Sequence, residues 1–370
     1  MNRFAFVSCH PAPYRDAFIA RCVDAFGDQM DVYSQYPCDK GHKFADSAKE
    51  APRYKANVLN KDNYSSVHML LLVLRLIFYG RYSIVIWPGF MDWYIVFVMW
   101  ISAILGKPYG FSADTIEQRS ISPLKRAVKK FIIKRASLIL VPGSKGRDFF
   151  ISTYGCSESK IVIGCYSLDG AEIEKKVLAY RSEFRRKRRD IDCTRFLMVA
   201  NMIPTRHYPI TCDGFLQFCR GKNNVKFVIV GSGVDSEKVK KLAAENPTLE
   251  VHESCSFETV LKLYAEADIY VHGGKEPAST ALVIGAISHL PIVSSKAVGC
   301  SADVLRDGIN GCDVGDYLSS MHWKMAFERI YQLKSEWRKF GEESRRLSRH
   351  LDVDVVVSDF VCKMKQDFHL

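Results

Sequence analysis

The stretch that most constrains this chain runs from residue 268 to 299, DIYVHGGKEPASTALVIGAISHLPIVSSKAVG. Residues 268–271 read as a short buried strand, broken by Gly273 and Gly274. Lys275, Glu276 and Pro277 lead into a helix whose N-cap is Ser279 or Thr280, and a second apolar strand follows at 291–294. A strand that ends at glycine and opens into a helix presents unpaired N–H groups and the positive end of a helix dipole. Such a turn seats a phosphate. Glu276, beside that seat, is an acceptor suited to sugar hydroxyls.

The rest of the chain repeats this alternation. Residues 3–8 read as a strand, 16–26 as a helix and 30–34 as a second strand, the opening of a doubly wound sheet whose ligands sit at carboxyl ends of strands. His10 and Arg15 lie at that edge, either as ligand contacts or as ordinary loop groups. Further strands are predicted at 83–87, 109–112, 137–141 and 160–163, with Asp114 and Glu117 following the second of these. A later group begins at 194–200 and continues at 225–230, which ends in Gly231-Ser232-Gly233, and at 248–252, followed by Glu253. The Gly-Ser-Gly turn serves either phosphate binding or close packing. Residues 37–65, with Lys40, His42 and Lys43, read as a polar loop, and 331–350 as one charged helix.

A length of 370 residues supports two domains, each with its own core. We place an α/β domain at 1–170, a basic linker at 171–192, a second α/β domain at 193–350 and a closing helix at 351–370. The net charge of +11 implies anionic partners (nucleotide phosphates, acidic lipid or nucleic acid) or serves solubility. Nucleic acid is disfavoured, because the basic patches lack the interleaved aromatics of a stacking platform. Twelve cysteines are scattered without a C-x-x-C pair, which argues against a disulfide framework or zinc site. The N-terminus has no signal-peptide layout and no apolar run reaches the roughly 20 residues of a spanning helix. A cytoplasmic protein, soluble or peripheral on the membrane, is expected.

Two segments bear on the membrane. Residues 93–106 are uncharged and mostly apolar, about 21 Å as a helix, and read as a helix buried between layers or as a membrane-inserted one. Pro123–Arg135 gathers Leu124, Val128, Phe131 and Ile132 on one face and six Lys and Arg elsewhere. No acidic residue occurs between Glu117 and Asp148. That pattern reads as a surface for anionic lipid, with plain solvation as the alternative.

The 276–292 segment resembles the donor-binding signature of retaining GT-B glycosyltransferases, the large family four (group 1), roughly E-P-F-G-L-V-x-x-E-A-x-x-x-G-x-P-V-I. Glu276, Pro277 and Pro291 fall on it without a gap; Ala278-Ser279 replaces Phe-Gly and Ile284 replaces the second glutamate. Residues 201–207, Asn-Met-Ile-Pro-Thr-Arg-His, align with the family's G-R-L-x-x-x-K-G. Arg206 then takes the lysine position of the diphosphate clamp and Asn201 the arginine position. The Pro13-Tyr14-Arg15 loop, Val298-Gly299 and Asp307–Gly311 are also similar to family segments.

The resemblance implies two Rossmann-like domains facing a cleft and a retaining hexosyltransferase that uses a UDP- or GDP-linked sugar as co-substrate. Arg206, Asn201 and the helix start at Ser279, Thr280 and Ala281 would stabilise the leaving diphosphate. Glu276 would orient the donor sugar, and Gly231, Gly233, Glu253 and Lys275 would complete the donor site. Asp114 is a catalytic candidate, with His10, Arg15 and Glu117 on the acceptor side. No metal or other cofactor is implied, since fixed cations and the helix end take that role. The acceptor is expected to be a saccharide, lipid-linked, in cell-surface polysaccharide or lipopolysaccharide assembly. Two alternatives remain open: a degenerate, non-catalytic sugar-nucleotide-binding module, motivated by Asn201 and Ile284, and a sugar-nucleotide epimerase on the same fold.

Overall fold

Several strands carry apolar residues at every position, and only the interior of a sheet covered on both faces accommodates that. The computed structural model describes residues 2–10, 13–37, 53–60, 65–117, 121–164, 166–187, 193–253 and 255–370. The chain divides into two units: residues up to Leu168 together with Leu351–Leu370, and Asp169–His350.

In the first unit the strands are β1 (Phe4–Ser8), β2 (Met30–Ser34), β3 (Asn57–Val58), β4 (Ile84–Trp87), β5 (Tyr109–Ser112), β6 (Leu138–Val141) and β7 (Ile161–Ile163). Their order is β3-β2-β1-β4-β5-β6-β7, and every pairing is parallel. The helices are α1 (Pro13–Phe26), α2 (Ser66–Tyr79), α3 (Trp93–Leu105), α4 (Pro123–Arg135) and α5 (Ser144–Tyr154). Alternate residues of β1 serve opposite faces: Phe4 and Phe6 join one apolar cluster with Phe18 and Phe26, and Ala5 and Val7 join another with Val98 and Met99. Lys40, His42 and Lys43 lie outside the described residues. Within the predicted polar loop, Asn57–Val58 is a strand paired with β2.

The second unit comprises α6 (Gly170–Lys187), β8 (Thr194–Val199), α7 (Tyr208–Phe218), β9 (Val225–Val230), α8 (Ser236–Glu245), β10 (Leu249–His252), α9 (Phe257–Glu266), β11 (Ile269–His272), α10 (Thr280–Ile287), β12 (Ile292–Ser294), α11 (Ser301–Val304), β13 (Gly311–Asp313), α12 (Ser320–Gln332) and α13 (Trp337–Ser348). The sheet order is β10-β9-β8-β11-β12-β13, again all parallel. The closing helix α14 (Val353–Phe368) belongs to the first unit, where Phe360 packs edge-on against Phe4 and Phe18.

Three sequence expectations change. Residues 171–187 are not a solvated link but most of α6, packed on α9 and α10. Ile173 and Val177 supply a buried stripe, and Arg181 donates to the carbonyls of Tyr264 (3.2 Å), Ala265 (3.2 Å) and Ser288 (2.8 Å). Burial with its neighbour Arg185 lowers the Arg181 pKa to about 10. The predicted single helix at 331–350 breaks at a 3-10 turn, Lys334–Glu336, where Trp337 folds back to donate to the Ile330 carbonyl at 2.8 Å. Residues 93–106 form α3, capped by Gly106 in the left-handed region (φ 66°), but the helix is not buried between layers. Tyr94, Ile95, Val98 and Met99 face the core, whereas Phe97, Trp100 and Ile104 are exposed. A helix apolar on all sides need not be covered on all sides by its own chain.

Candidate active site

In an open α/β sheet, ligands bind outside the carboxyl ends of the strands where the strand order reverses. In the second unit that point lies between β8 and β11, neighbours in the sheet although three strands apart in sequence. The loop after β8 carries Arg206 and the loop after β11 carries Glu276. Arg206 Nη2 donates to Glu276 Oε2 at 2.5 Å, and Arg206 Nη1 donates to the Lys275 carbonyl at 2.9 Å. The other carboxylate oxygen, Glu276 Oε1, bonds His272 Nε2, and the Ser279 hydroxyl adds a further contact. Burial by itself raises the Glu276 carboxyl, but His272, then Arg206 and Ser279, outweigh it and hold the group below its ordinary value.

His272 extends this constellation into the core. It ends β11, is fully buried, and its Nδ1 lies 3.0 Å from the Tyr270 hydroxyl, which also reaches the Val199 carbonyl at 3.2 Å. The Tyr270 ring stacks on Tyr264 at 5.4 Å, and Tyr264 donates to the carbonyl of Ala281 at 2.7 Å in the first turn of α10. Sequence reasoning missed His272. The available signal was a polar residue closing an otherwise apolar strand, four positions before Glu276.

Backbone contacts fix the two loops. Lys275 N donates to the Thr205 carbonyl at 2.8 Å. Gly274 has φ +85°, and a Cβ there would stand 2.3 Å from the Thr205 carbonyl oxygen, so the glycine permits the approach of the Arg206 loop. Behind Glu276, the Val298 segment forms a parallel bridge and Gly299 N donates to the Glu276 carbonyl at 2.8 Å. A Cβ on Gly299 would lie 1.7 Å from the Pro277 carbonyl oxygen. The family-like Val298-Gly299 pair thus clamps the carboxylate's own backbone.

Ser279 is the N-cap of α10, accepting from Leu282 N at 3.2 Å. Thr280 and Ala281 form the first turn, whose N–H groups have no acceptor within the helix. Ile284, at the place of the family's second glutamate, is buried in α10. Gly231 and Gly233 meet the 200–202 loop, where a Cβ would come within 1.9 Å of the Ala200 oxygen and 2.4 Å of the Met202 oxygen, respectively. Close packing accounts for both glycines. Asn201 is exposed on the loop they support. Glu253, after β10, is exposed and pairs with Lys240 at 2.8 Å. Burial leaves the Arg206 Nε without a hydrogen-bond partner among the described residues.

The first unit has its own reversal, between β1 and β4. His10 and Arg15 follow β1, and Arg15 Nη2 donates to the His10 carbonyl at 3.2 Å. Met91 and Asp92 follow β4; Met91 Sδ accepts from Cys9 Sγ at 3.3 Å. Burial raises the Cys9 thiol, with Arg15 opposing and Asp92 and Asp114 adding to the rise. Asp92, which sequence reasoning also missed, accepts from Gln35 at 3.1 Å. Asp114, after β5, is exposed and accepts from the Tyr166 hydroxyl at 3.4 Å; Glu117 is exposed nearby in sequence. Among the described residues no group of three or more His, Cys, Asp or Glu is placed to hold a metal ion.

Two α/β units, each built on an all-parallel sheet, share the GT-B fold of solved glycosyltransferases. Residues 181–347 match the family described as glycosyl transferases group 1, and the chain is a glycosyltransferase. Solved structures agree in fold. HepE of Anabaena, crystallised with UDP and glucose, is 15% identical with a TM-score of 0.73, over 99% of this chain and 100% of that one. Sucrose-phosphate synthase from Thermosynechococcus elongatus is 12% identical with a TM-score of 0.71, over 100% of both chains. WaaG, a glycosyltransferase involved in lipopolysaccharide biosynthesis, is 15% identical with a TM-score of 0.64, over 96% of this chain and 98% of that one. No curated protein matches by sequence.

Proposed function

We propose that this glycosyltransferase moves a sugar from a nucleoside-diphosphate sugar, with retention at the anomeric carbon, to a lipid-linked saccharide at the cytoplasmic face of a membrane. The observation that carries the donor half is the Arg206–Glu276–His272 constellation at the strand reversal of the second unit. Breaking the bond between anomeric carbon and phosphate builds positive charge on the sugar and negative charge on the leaving diphosphate. A fixed guanidinium with a buried N–H that has no partner among the described residues suits that developing anion, as does the first turn of α10. Glu276, ionised and held at both oxygens, suits the hydroxyls of the departing sugar and fixes its orientation. The acceptor would attack on the face the diphosphate leaves, with a phosphate oxygen taking its proton. HepE, similar in fold, was crystallised with UDP-glucose, which favours UDP as the leaving group. In the first unit Asp114 remains a catalytic candidate, with His10, Arg15 and Glu117 as acceptor-side candidates.

Thermal unfolding with UDP, GDP and their sugar conjugates tests the donor half. A ligand at a hundredfold its dissociation constant adds about 2.7 kcal/mol, a readily measured shift. We expect a shift with UDP ligands that Arg206→Ala abolishes. No shift with any nucleotide would defeat the proposal.

A further inference from the structure

The first unit exposes an apolar face that the described residues do not cover. α3 lies between α2 and α4, in contact with each. Phe97, Trp100 and Ile104 follow each other at i, i+3 and i+7, so they share one face of α3; they are 37%, 37% and 55% exposed. Leu71 and Phe78, seven residues apart on the adjoining α2, are 55% and 48% exposed. The Phe97 and Trp100 rings stand 6.0 Å apart. Exposed apolar residues gathered on two adjoining helices mark an interaction site rather than ordinary surface scatter.

Charge decides what covers it. From residue 63 to 147 the sequence holds twelve Lys and Arg and three acidic residues, Asp92, Asp114 and Glu117. Lys125, Arg126 and Lys130 are exposed on α4. Lys107 lies over the Phe78 ring at 5.0 Å and Arg135 over Phe131 at 5.7 Å, so cationic heads stand beside the aromatic surface. An apolar centre containing Trp with a cationic margin matches the acyl–headgroup boundary of an anionic bilayer. No helix of the described residues is long and apolar enough to cross a membrane.

We propose that the exposed face of α2 and α3 inserts into the headgroup region of an anionic membrane, with the α4 cations on lipid phosphates. The basic helix alone would hold the protein against lipid; the aromatic face makes it a shallowly inserted one. The biological reason for this placement rests on the lipid-linked acceptor proposed above, whereas the surface stands on its own residues.

Vesicle flotation of the full chain, with phosphatidylcholine alone or mixed equally with phosphatidylglycerol, tests it. Binding is expected only with the anionic mixture. Phe97→Glu with Trp100→Glu should weaken it at least about tenfold, as should Lys125→Glu with Lys130→Glu. Brominated lipid should quench the fluorescence of the unaltered protein, and Trp93→Phe with Trp100→Phe should remove most of that quenching, since both are exposed on α3 whereas Trp87 and Trp323 are buried. This readout holds even if a charged variant folds poorly. Equal binding to both vesicles, binding without quenching, or a dimer that the Phe97/Trp100 variant dissolves would each overturn the proposal. The UDP-induced thermal shift, which requires no membrane, is expected to persist in the face variants, so failure of the donor reading and failure of this one are separately visible.

Discussion

Replacing His272 with Ala isolates what holds Glu276 in place. The imidazole loses a bond to a buried carboxylate, a contact worth about 1.5–3 kcal/mol, and one to the Tyr270 hydroxyl, worth about 1 kcal/mol. Glu276 keeps Arg206, and Tyr270 keeps the Val199 carbonyl, so neither is left buried alone. We expect a net loss of about 2.5–4 kcal/mol, or roughly 5–15 °C in the unfolding of the second unit. His272→Gln, whose amide NH2 can donate to Glu276, should recover about half. Calorimetry across pH gives a second reading. The folded Glu276 carboxyl lies below its ordinary value of 4.5, so its contribution is present above that pH and is lost as pH falls through the folded value. Without His272 the depression is smaller, and the gap between wild type and variant should narrow below pH 4.5. An alanine variant within about 0.5 kcal/mol of wild type, the scale of an ordinary surface change, would refute this account of Glu276.

Gly299→Ala places a Cβ 1.7 Å from the Pro277 oxygen and must open the Glu276–Val298 bridge. We expect a loss of about 2 kcal/mol or more by denaturant unfolding, together with a smaller UDP shift; retention of both would show that Gly299 does not position the carboxylate. His207 sits in the left-handed region (φ 49°) at the family's glycine position. His207→Gly should stabilise by up to about 1 kcal/mol, unless loss of the ring contact with Tyr317 at 5.5 Å outweighs the relieved strain.

The sequence by itself determined the alternation of strands and helices, because uniformly apolar strands and glycine-terminated turns are local signals. It also placed Glu276 and Arg206 in strand-end loops, and Ser279 as one of two caps. Other features depended on contacts between segments distant in sequence. His272 became part of the site because β8 and β11 are neighbours, which brings its Tyr270 partner to the Val199 carbonyl. For Gly231 and Gly233 the sequence left phosphate binding and close packing both open, and the backbone that a Cβ there would meet, residues 200–202, lies some 30 positions earlier. The 171–187 stretch looked like a linker because its charge was visible and the carbonyls that receive Arg181 were not. Nor could hydropathy separate the buried side of α3 from the exposed one, since both are apolar. Periodicity reports which residues avoid water; only tertiary packing decides which of them the chain itself covers.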